Sequence, residues 1–249
     1  MTMLEVRNVT KKFGSLVAVK DVSMSVKTGE LRAIIGPNGA GKTTFFNLVS
    51  GLLPPTSGRI LLDGRDVTGV PPHRRVALGM GRTFQVTEIF PELTVRDNLR
   101  VASEITAGYG RRLWMRRDDH AEIRARVHEL LEQGGLTGHA DRLVGELSHG
   151  DQRSTEIMMS IALSPQLLLL DEPTAGMSDQ ETYQIASLVR RLHVERNLTV
   201  VLIEHDMRVI FHLADRITVL AEGCCLADGT PHEIAGNEQV QAAYLGGAR

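Results

Sequence analysis

The most constraining feature of this chain is a glycine-rich segment that lies between a mainly apolar segment and helix-forming sequence. Residues 36–43 read Gly-Pro-Asn-Gly-Ala-Gly-Lys-Thr, which fits the pattern G-x-x-x-x-G-K-[ST], and residues 31–35 before them resemble a buried strand. Glycines let successive backbone N–H groups converge on phosphate oxygens, and the N-terminus of the following helix adds a positive potential. The segment therefore predicts a loop that binds the phosphates of a nucleotide.

The side chains of this loop have expected roles. Lys42 supplies a positive charge for the β- and γ-phosphates, and the hydroxyl of Thr43 is suited to binding Mg²⁺. A glycine-rich turn that matches the pattern by chance is the alternative, and both flanking segments count against it. The predicted nucleotide-contacting residues are Gly36, Pro37, Asn38, Gly39, Ala40, Gly41, Lys42, Thr43 and Thr44.

Two consecutive acids provide a partner for this loop. Asp171 and Glu172 follow the apolar run Leu167–Leu170, which predicts a strand that delivers them to the edge of a sheet where ligands bind. Asp171 is expected to hold Mg²⁺, directly or through water, and Glu172 to polarise the water that attacks the γ-phosphate. A pair of solvated acids is the alternative. The residues by themselves thus indicate a Mg²⁺-dependent nucleoside triphosphatase.

Alternating apolar and amphipathic segments predict an α/β fold. Segments 31–35, 167–170 and 199–203 are each followed by helical sequence, as in a largely parallel sheet, and segments 4–9 and 217–221 are further strands. Residues 1–31 and 59–62, the latter followed by the turn signal Asp63-Gly64, indicate antiparallel hairpins at an edge. We expect a P-loop nucleoside-triphosphatase core with a largely parallel sheet, an antiparallel β edge subdomain and a helical insertion.

The insertion is predicted to carry helices over 95–102, after an N-cap at Thr94, and over 121–133. Between them lies the basic segment 107–117 with Trp114, which we interpret as a solvated loop in preference to a binding surface. The chain is expected to be one domain. Its predicted parts are core and β subdomain at about 1–85 and 150–235, helical subdomain at about 86–149, and C-terminal tail at 236–249.

Composition excludes several classes of protein. The 28 basic and 30 acidic residues give a net charge of −2, which argues against a nucleic-acid binder that relies on overall basicity. The N-terminal segment does not resemble a secretory leader, and an uninterrupted run of about 18 apolar residues, as a membrane span needs, is missing from the sequence. The adjacent Cys224 and Cys225 are unsuited to a mutual disulfide, which favours a reducing, cytoplasmic setting.

The segment Leu147-Ser-His-Gly-Asp151 introduces a resemblance over essentially the whole length of the chain. It is similar to the LSGGQ signature of the nucleotide-binding subunits of ATP-binding-cassette (ABC) transporters, with departures at His149 and Asp151. The resemblance implies a head-to-tail dimer of identical or different chains, in which Ser148 and Gly150 contact ATP held by the other subunit. An ordinary capped helix is the alternative interpretation of this motif alone.

Other positions match landmarks of the same family. The resemblance implies that Phe13 stacks on adenine, that Gln85 contacts Mg²⁺ and the attacking water, and that His205 contacts the γ-phosphate. From sequence alone, Phe13 is as compatible with a core position, and a lone histidine such as His205 is more often structural. Ser178 stands where many relatives have Asp. The resulting expectation is a catalytic set of Glu172, His205, Gln85 and Lys42, and a metal set of Thr43, Gln85 and Asp171.

Several stretches, including residues 82–95, 204–207 and 228–231, resemble the longer ATPase subunit of bacterial branched-chain amino-acid importers. Urea importer and lipopolysaccharide-export ATPases are similar. The implied cofactors are ATP and Mg²⁺, and the implied partners are a second ATPase subunit, permease subunits and, indirectly, a periplasmic solute-binding protein. The surface between Gln85 and Asn98 is expected to receive a permease helix at the cytoplasmic face of the inner membrane.

Two other classes remain open. One is a soluble ABC ATPase that acts on ribosomes or DNA, and the absence of a second cassette, of sustained heptads and of a basic charge counts against it. The other is a regulatory module that holds ATP without turnover, and the presence of Glu172 and His205 argues against that class.

Overall fold

A computed structural model describes the backbone at residues 1–83, 89–106 and 117–245. The predicted Gln85 and most of the basic segment 107–117, with Trp114, lie outside the described residues. The described strands are β1 (Thr2–Phe13), β2 (Leu16–Lys27), β3 (Leu31–Ile35), β4 (Ser57–Leu62), β5 (Arg65–Asp66), β6 (Met80–Arg82), β7 (Leu167–Asp171), β8 (Thr199–Ile203), β9 (Arg216–Ala221) and β10 (Cys224–Gly229). The described helices are α1 (Lys42–Ser50), α2 (Pro72–Ala77), α3 (Val95–Thr106), α4 (Arg117–Gly134), α5 (His149–Ala162), α6 (Asp179–Arg196), α7 (Met207–Leu213), α8 (Pro231–Ala235) and α9 (Glu238–Leu245).

Six strands form the predicted mainly parallel sheet, in the order β10-β9-β3-β8-β7-β6. All neighbouring pairs are parallel except β9 with β10. Every residue of β3, β7 and β8 is buried, because helices or the second sheet cover both faces of these strands. Their carboxyl ends meet at one edge, where Asp171 is the register partner of Ile203. This edge is therefore the place at which the fold assembles a ligand site.

The antiparallel strands form a second sheet in the order β2-β1-β4-β5. The predicted turn at Asp63-Gly64 is present, with φ of 46° and 74°, and connects β4 to β5. Strand β2 buries alternate side chains over its C-terminal half, as expected for a sheet with one face against the core. Helix α1 lies in the core that this sheet shares with the parallel sheet, and it contributes the fully buried Phe45 and Phe46.

The predicted helical insertion packs on the other side of the parallel sheet. Thr94 caps α3 as predicted, because its hydroxyl accepts a hydrogen bond of 3.1 Å from the N–H of Asp97. Both predicted helices extend further than the sequence pattern indicated, to Thr106 in α3 and back to Arg117 in α4. Helix α5 buries an apolar face formed by Ile157, Met158, Ile161 and Ala162. Within the described part of the chain, no helix is long and apolar enough to cross a bilayer.

Candidate functional site

The loop between β3 and α1 is built on glycines that the surrounding backbone requires. Gly36 and Gly41 have φ of 151° and 94°, in the region that favours glycine. A Cβ atom on Gly36 would lie 2.1 Å from the carbonyl oxygen of Leu220, and one on Gly41 would lie 2.4 Å from that of Ala18. The loop is therefore wedged between β9 and the β1–β2 hairpin, which restricts its backbone.

Lys42, the first residue of α1, closes the loop on itself. Its ammonium group donates hydrogen bonds to the carbonyl oxygens of Gly36, at 2.7 Å, and Pro37, at 3.0 Å. Burial lowers the pKa of Lys42, and the nearby charge of Glu172 opposes this shift. The positive charge is thus held inside the loop, at the N-terminus of a helix whose first turn contains no acid.

A cleft of about 450 Å³ opens over this loop. Five separate parts of the chain supply its walls: the start of β2, the loop with the first turn of α1, the residue after β7, the loop after β8, and the turn between β9 and β10. The N–H of Gly223 in that turn donates to the carbonyl oxygen of Ala40 at 3.1 Å, which attaches the turn to the loop. The lining residues are Leu16, Val17, Ala18, Asn38, Gly39, Ala40, Gly41, Lys42, Thr43, Thr44, Glu172, His205, Glu222 and Gly223.

Asp171 lies at the end of β7, as its sequence predicts, and is 2% exposed. Burial raises the pKa of its carboxyl, and the positive charge of Arg82 acts in the opposite direction. The guanidinium of Arg82 lies 3.4 Å from Oδ2 of Asp171 and also donates to Asn47 in α1 at 2.8 Å. The sequence pattern around Arg82 gave no indication of this contact, which attaches the acid to the helix that follows the glycine-rich loop.

Glu172 and His205 meet at the rim of the cleft. Oε1 of Glu172 lies 2.8 Å from Nε2 of His205, although the two residues follow different strands. Glu172 has a φ of 44°, and its N–H donates to the carbonyl oxygen of Ile203 at 3.0 Å. The structure thus brings together two side chains that the sequence assigned to catalysis, and a carboxylate beside an imidazole is suited to orienting water.

The buried side chain of Glu204 holds together the two loops that carry Glu172 and His205. Its carboxylate accepts hydrogen bonds from the N–H and the hydroxyl of Thr174, at 2.9 and 2.6 Å, and from the N–H of His205 at 2.9 Å. These contacts join the loop after β7 to the loop after β8. Glu204 was not among the predicted site residues, although an acid that directly follows an apolar strand is a recognisable signal in the sequence.

The donor set at the strand edge fits a magnesium ion. Among the described residues, no group of three or more His, Cys, Asp or Glu side chains is positioned to hold a metal. Mg²⁺ is usually bound by one or two carboxylates together with substrate phosphates and water, and does not require such a group. Asp171 supplies a buried carboxylate at the end of β7, and Thr43 supplies a hydroxyl in the first turn of α1. These are the types of ligand that this mode of binding uses, although Thr43 lines the cleft and Asp171 does not.

A second helix N-terminus, at α5, carries the predicted signature residues. The hydroxyl of Ser148 caps α5 by accepting a hydrogen bond of 3.2 Å from the N–H of Asp151. The N–H of Gly150 donates to Oε1 of Glu181 at 3.2 Å. Glu181 also forms the capping box of α6 with Ser178, and hydrogen bonds from Ser178 and from Gly150 lower its pKa. In this chain, therefore, a carboxylate contacts the helix end that the sequence assigned to phosphate.

Phe13 lies outside the core, because 47% of it is exposed. It is the last residue of β1 and the register partner of Leu16, which lines the cleft. The ammonium group of Lys11 lies 5.1 Å from the centre of its ring. The core interpretation of Phe13 is thus wrong, and its contact with adenine stays a prediction. The role of Gln85 stays a prediction as well, because that residue lies outside the described part of the chain.

Comparison with known families gives two matches. Residues 19–175 match a family described as ABC transporter, and residues 224–249 match one described as branched-chain amino acid ATP-binding cassette transporter. The first match covers more than half of the chain and includes both the glycine-rich loop 36–43 and the acids at the end of β7.

Full-length relatives carry similar descriptions. The chain is 41% identical to the high-affinity branched-chain amino acid transport ATP-binding protein BraF of Pseudomonas aeruginosa over 99% of this chain and 98% of that protein. It is 40% identical to the corresponding protein LivG of Escherichia coli, again over 99% of this chain and 98% of the relative.

Solved structures agree with the observed fold. The ATP-binding cassette MJ1267 in its ADP conformation has a TM-score of 0.85 and 29% identity, and the alignment covers 99% of both chains. The dimeric post-hydrolysis state of the cassette MJ0796, bound to ADP and Pi, has a TM-score of 0.77 and 28% identity over 92% of this chain and 99% of that one.

Proposed function

This chain belongs to the ABC transporter family, as an ATP-binding subunit, and we propose that it powers a bacterial importer of branched-chain amino acids by hydrolysing ATP. The pairing of Glu172 with His205 beside the phosphate loop is the observation that carries the ATPase mechanism. The match of residues 224–249 and the descriptions of the full-length relatives support the class of solute.

ATP binding is assigned to the preformed cleft. Backbone N–H groups of the loop, the charge of Lys42 and the N-terminus of α1 all favour the negative triphosphate at one end of the cleft. When ATP binds, the ammonium group of Lys42 must exchange its hydrogen bonds to the two loop carbonyl oxygens for hydrogen bonds to phosphate oxygens. At the other end, the exposed ring of Phe13 offers a surface on which adenine stacks.

Thr43, Asp171 and Gln85 are assigned to holding Mg²⁺, which when bound neutralises charge on the phosphate oxygens. Glu172 accepts a hydrogen bond from the attacking water and orients it toward the γ-phosphorus. Nε2 of His205 lies 2.8 Å from Oε1 of Glu172, and we assign the imidazole to a contact with the γ-phosphate that replaces this one when nucleotide is bound. The water displaces ADP at the γ-phosphorus directly, without a covalent enzyme intermediate. The rate then depends on how these residues position the water and stabilise the charge of the phosphate oxygens.

A second ATPase subunit completes the site. We assign Ser148 and Gly150 to the phosphates bound by the partner in a head-to-tail dimer, and the dimeric relative bound to ADP and Pi supports such an assembly. The carboxylate of Glu181 must first leave the N–H of Gly150, since a carboxylate and a phosphate oxygen cannot share that donor.

The permease is assigned to a groove between α3 and α5. It has a volume of about 240 Å³ and a mainly apolar lining. Phe90, which is 49% exposed, lines the groove and belongs to the surface between Gln85 and Asn98 that is predicted to receive a permease helix. The groove is lined by Arg82, Phe90, Val101, Ala102, Ile105, Glu156, Met159, Ser160 and Leu163. This docking places the chain at the cytoplasmic face of the membrane, opposite the periplasmic solute-binding protein.

Reconstitution tests the proposal. The chain, its permease subunits and the solute-binding protein are placed in proteoliposomes, and ATP hydrolysis is measured with leucine, urea or no solute. We expect leucine to stimulate hydrolysis and urea to have no effect, and Glu172→Gln to abolish the stimulated rate. Stimulation by urea alone, or co-purification with ribosomes in place of a multispanning protein, would contradict the proposed function.

A further inference from the structure

Arg153 of α5 contacts the peptide that joins the two acids of the site. Its side chain is buried, with 9% of its surface exposed, and one guanidinium nitrogen donates to the carbonyl oxygen of Asp171 at 2.7 Å. A second nitrogen donates to the carboxylate of Glu156 at 2.6 Å. Two fixed partners therefore define the orientation of the guanidinium plane.

The contacted peptide has a backbone conformation that needs support. Glu172 has a φ of 44°, which non-glycine residues adopt rarely and keep only where the surroundings hold them. The N–H of this peptide donates to Ile203 at 3.0 Å, and its carbonyl group accepts from Arg153. Both polar atoms of the peptide are thus held, one by the sheet and the other by α5. This geometry directs the carboxylate of Glu172 toward His205.

We propose that Arg153 is a positioning residue for Glu172, which couples the position of α5 to the direction of the catalytic carboxylate. The inference rests on the proposed function, in which the first turn of α5 meets the nucleotide of the partner subunit. Ser148 and Gly150 lie within two turns of Arg153 on the same helix. A shift of α5 on contact with the partner's nucleotide therefore changes the hydrogen bond from Arg153 to the carbonyl oxygen of Asp171. Nucleotide binding in the partner's site thus affects the position of Glu172 in this chain's site.

The surface that receives the permease is connected to the same arginine. Glu156, which fixes the second edge of the Arg153 guanidinium, also lines the groove between α3 and α5. A permease segment that binds in this groove and displaces Glu156 would consequently shift Arg153, and through Arg153 the peptide between Asp171 and Glu172.

The test separates positioning from packing. Arg153→Met is combined with Glu156→Gln so that no charged carboxylate is left buried beside the new side chain. We expect this double variant to lose roughly 10- to 100-fold in kcat, while its affinity for Mg-ATP stays within about twofold, because displaced reacting groups slow the chemical step. Arg153→Lys retains one charged donor and is expected to recover part of kcat.

Arg126→Met is the matched control. Arg126 donates to the carbonyl oxygen of Ile161, at the opposite end of α5, at 3.3 Å. Its loss removes an arginine–carbonyl contact of the same helix far from Glu172, and kcat is expected to stay near wild type. The melting temperature of each variant, measured without nucleotide, identifies any variant that fails to fold. If the double variant fails to fold, the kcat of Arg153→Lys tests the inference in its place.

A double-mutant comparison isolates the route through Glu172. In a Glu172→Gln background, the Arg153→Met and Glu156→Gln changes are expected to leave the residual rate of hydrolysis unaltered, because the side chain that they position is gone. An additional loss in that background, an unchanged kcat in the original background, or a parallel loss in Arg126→Met overturns the inference. Normal hydrolysis by Glu172→Gln itself would instead overturn the proposed function.

Discussion

The N-termini of α1 and α5 are both candidates for phosphate contact, but they differ in the side chains that accept hydrogen bonds from their first turns. At α1 the cap is Gly41, no side chain accepts from the first turn, and the first turn holds no acid. At α5 the hydroxyl of Ser148 is the cap, and the carboxylate of Glu181 accepts from the N–H of Gly150. A helix N-terminus with open N–H groups attracts anions, whereas one with a carboxylate already in place repels them.

The difference indicates an order of events. Under the proposed function, the end of α1 binds a triphosphate within a single chain, since its loop is wedged in place and its lysine lies inside the loop. In the same proposal, the end of α5 exchanges the carboxylate of Glu181 for a phosphate of the partner's nucleotide, so its contact is conditional on the partner subunit. Binding within one chain and closure between two chains are thereby separated energetically.

Glu172→Gln is expected to produce the largest effect, a loss of kcat of about 1,000-fold with ATP binding retained. An amide keeps the shape of the side chain but is a much weaker acceptor for the proton of the attacking water. Because ATP persists, we expect a trapped dimer in which the end of α5 is occupied by the partner's nucleotide. Steady-state hydrolysis and light scattering measure the two effects, and a variant that stays monomeric with ATP bound would break the comparison at α5.

Lys42→Ala is expected to weaken ATP binding by about 100-fold, since it removes the charge that the loop holds at the end of α1. A charge-assisted contact of this kind contributes about 1.5–3 kcal/mol. Calorimetry on the isolated chain measures the change, and Lys20→Ala, at an exposed lysine of β2, is the matched control. An unaltered dissociation constant would show that α1 does not carry the affinity.

Phe13→Ala is expected to weaken ATP binding by roughly 1–3 kcal/mol, as loss of a base-stacking aromatic usually does. The effect should be present for ATP and absent for inorganic triphosphate, which has no adenine. Phe211→Ala, at another exposed aromatic, serves as control. Equal losses for both ligands would assign Phe13 to the stability of the β1–β2 hairpin.

Glu181→Gln is expected to produce the smallest effect, a roughly two- to fivefold tightening of ATP-dependent dimerisation. This corresponds to about 0.3–1 kcal/mol for one charge at a helix N-terminus. Glutamine can preserve the capping box with Ser178, and Glu233→Gln in the equivalent capping box of α8 is the matched control. Weaker dimerisation of Glu181→Gln would mean that the carboxylate assists closure, which would reverse the proposed role of this contact.

The sequence predicted the central strands, the phosphate loop and the acids after β7 because each has a local pattern. Residues 167–170 are apolar throughout, and the glycine spacing at 36–41 is sufficient to recognise the loop. Strand β10 was missed, since its residues Cys224–Gly229 carry no alternating pattern and depend on pairing with β9.

The contacts that organise the site were not predictable in the same way. Arg82 and Asp171 are 89 residues apart in the chain, and Glu172 and His205 are 33 apart. A charged residue shows its type in the sequence but not its partner, because the partner is chosen by how distant strands register. The same limit hid the contact between Gly150 and Glu181, although the capping box of Glu181 with Ser178 has a local signature.

Local chemistry alone determined that this chain makes a glycine-wrapped, lysine-containing helix N-terminus and, separately, an apolar strand that ends in two acids, since glycine conformation, helix electrostatics and strand propensity act over a few residues. Folding decided which helix end stays open and which is covered by a carboxylate, and which arginine holds the peptide before Glu172. These choices depend on side chains that meet only when buried strands align. The physical reason is that helix, strand and turn propensities depend on neighbouring residues in the sequence. The pairing of buried charges depends on residues that are distant in the sequence and meet only when the core has formed.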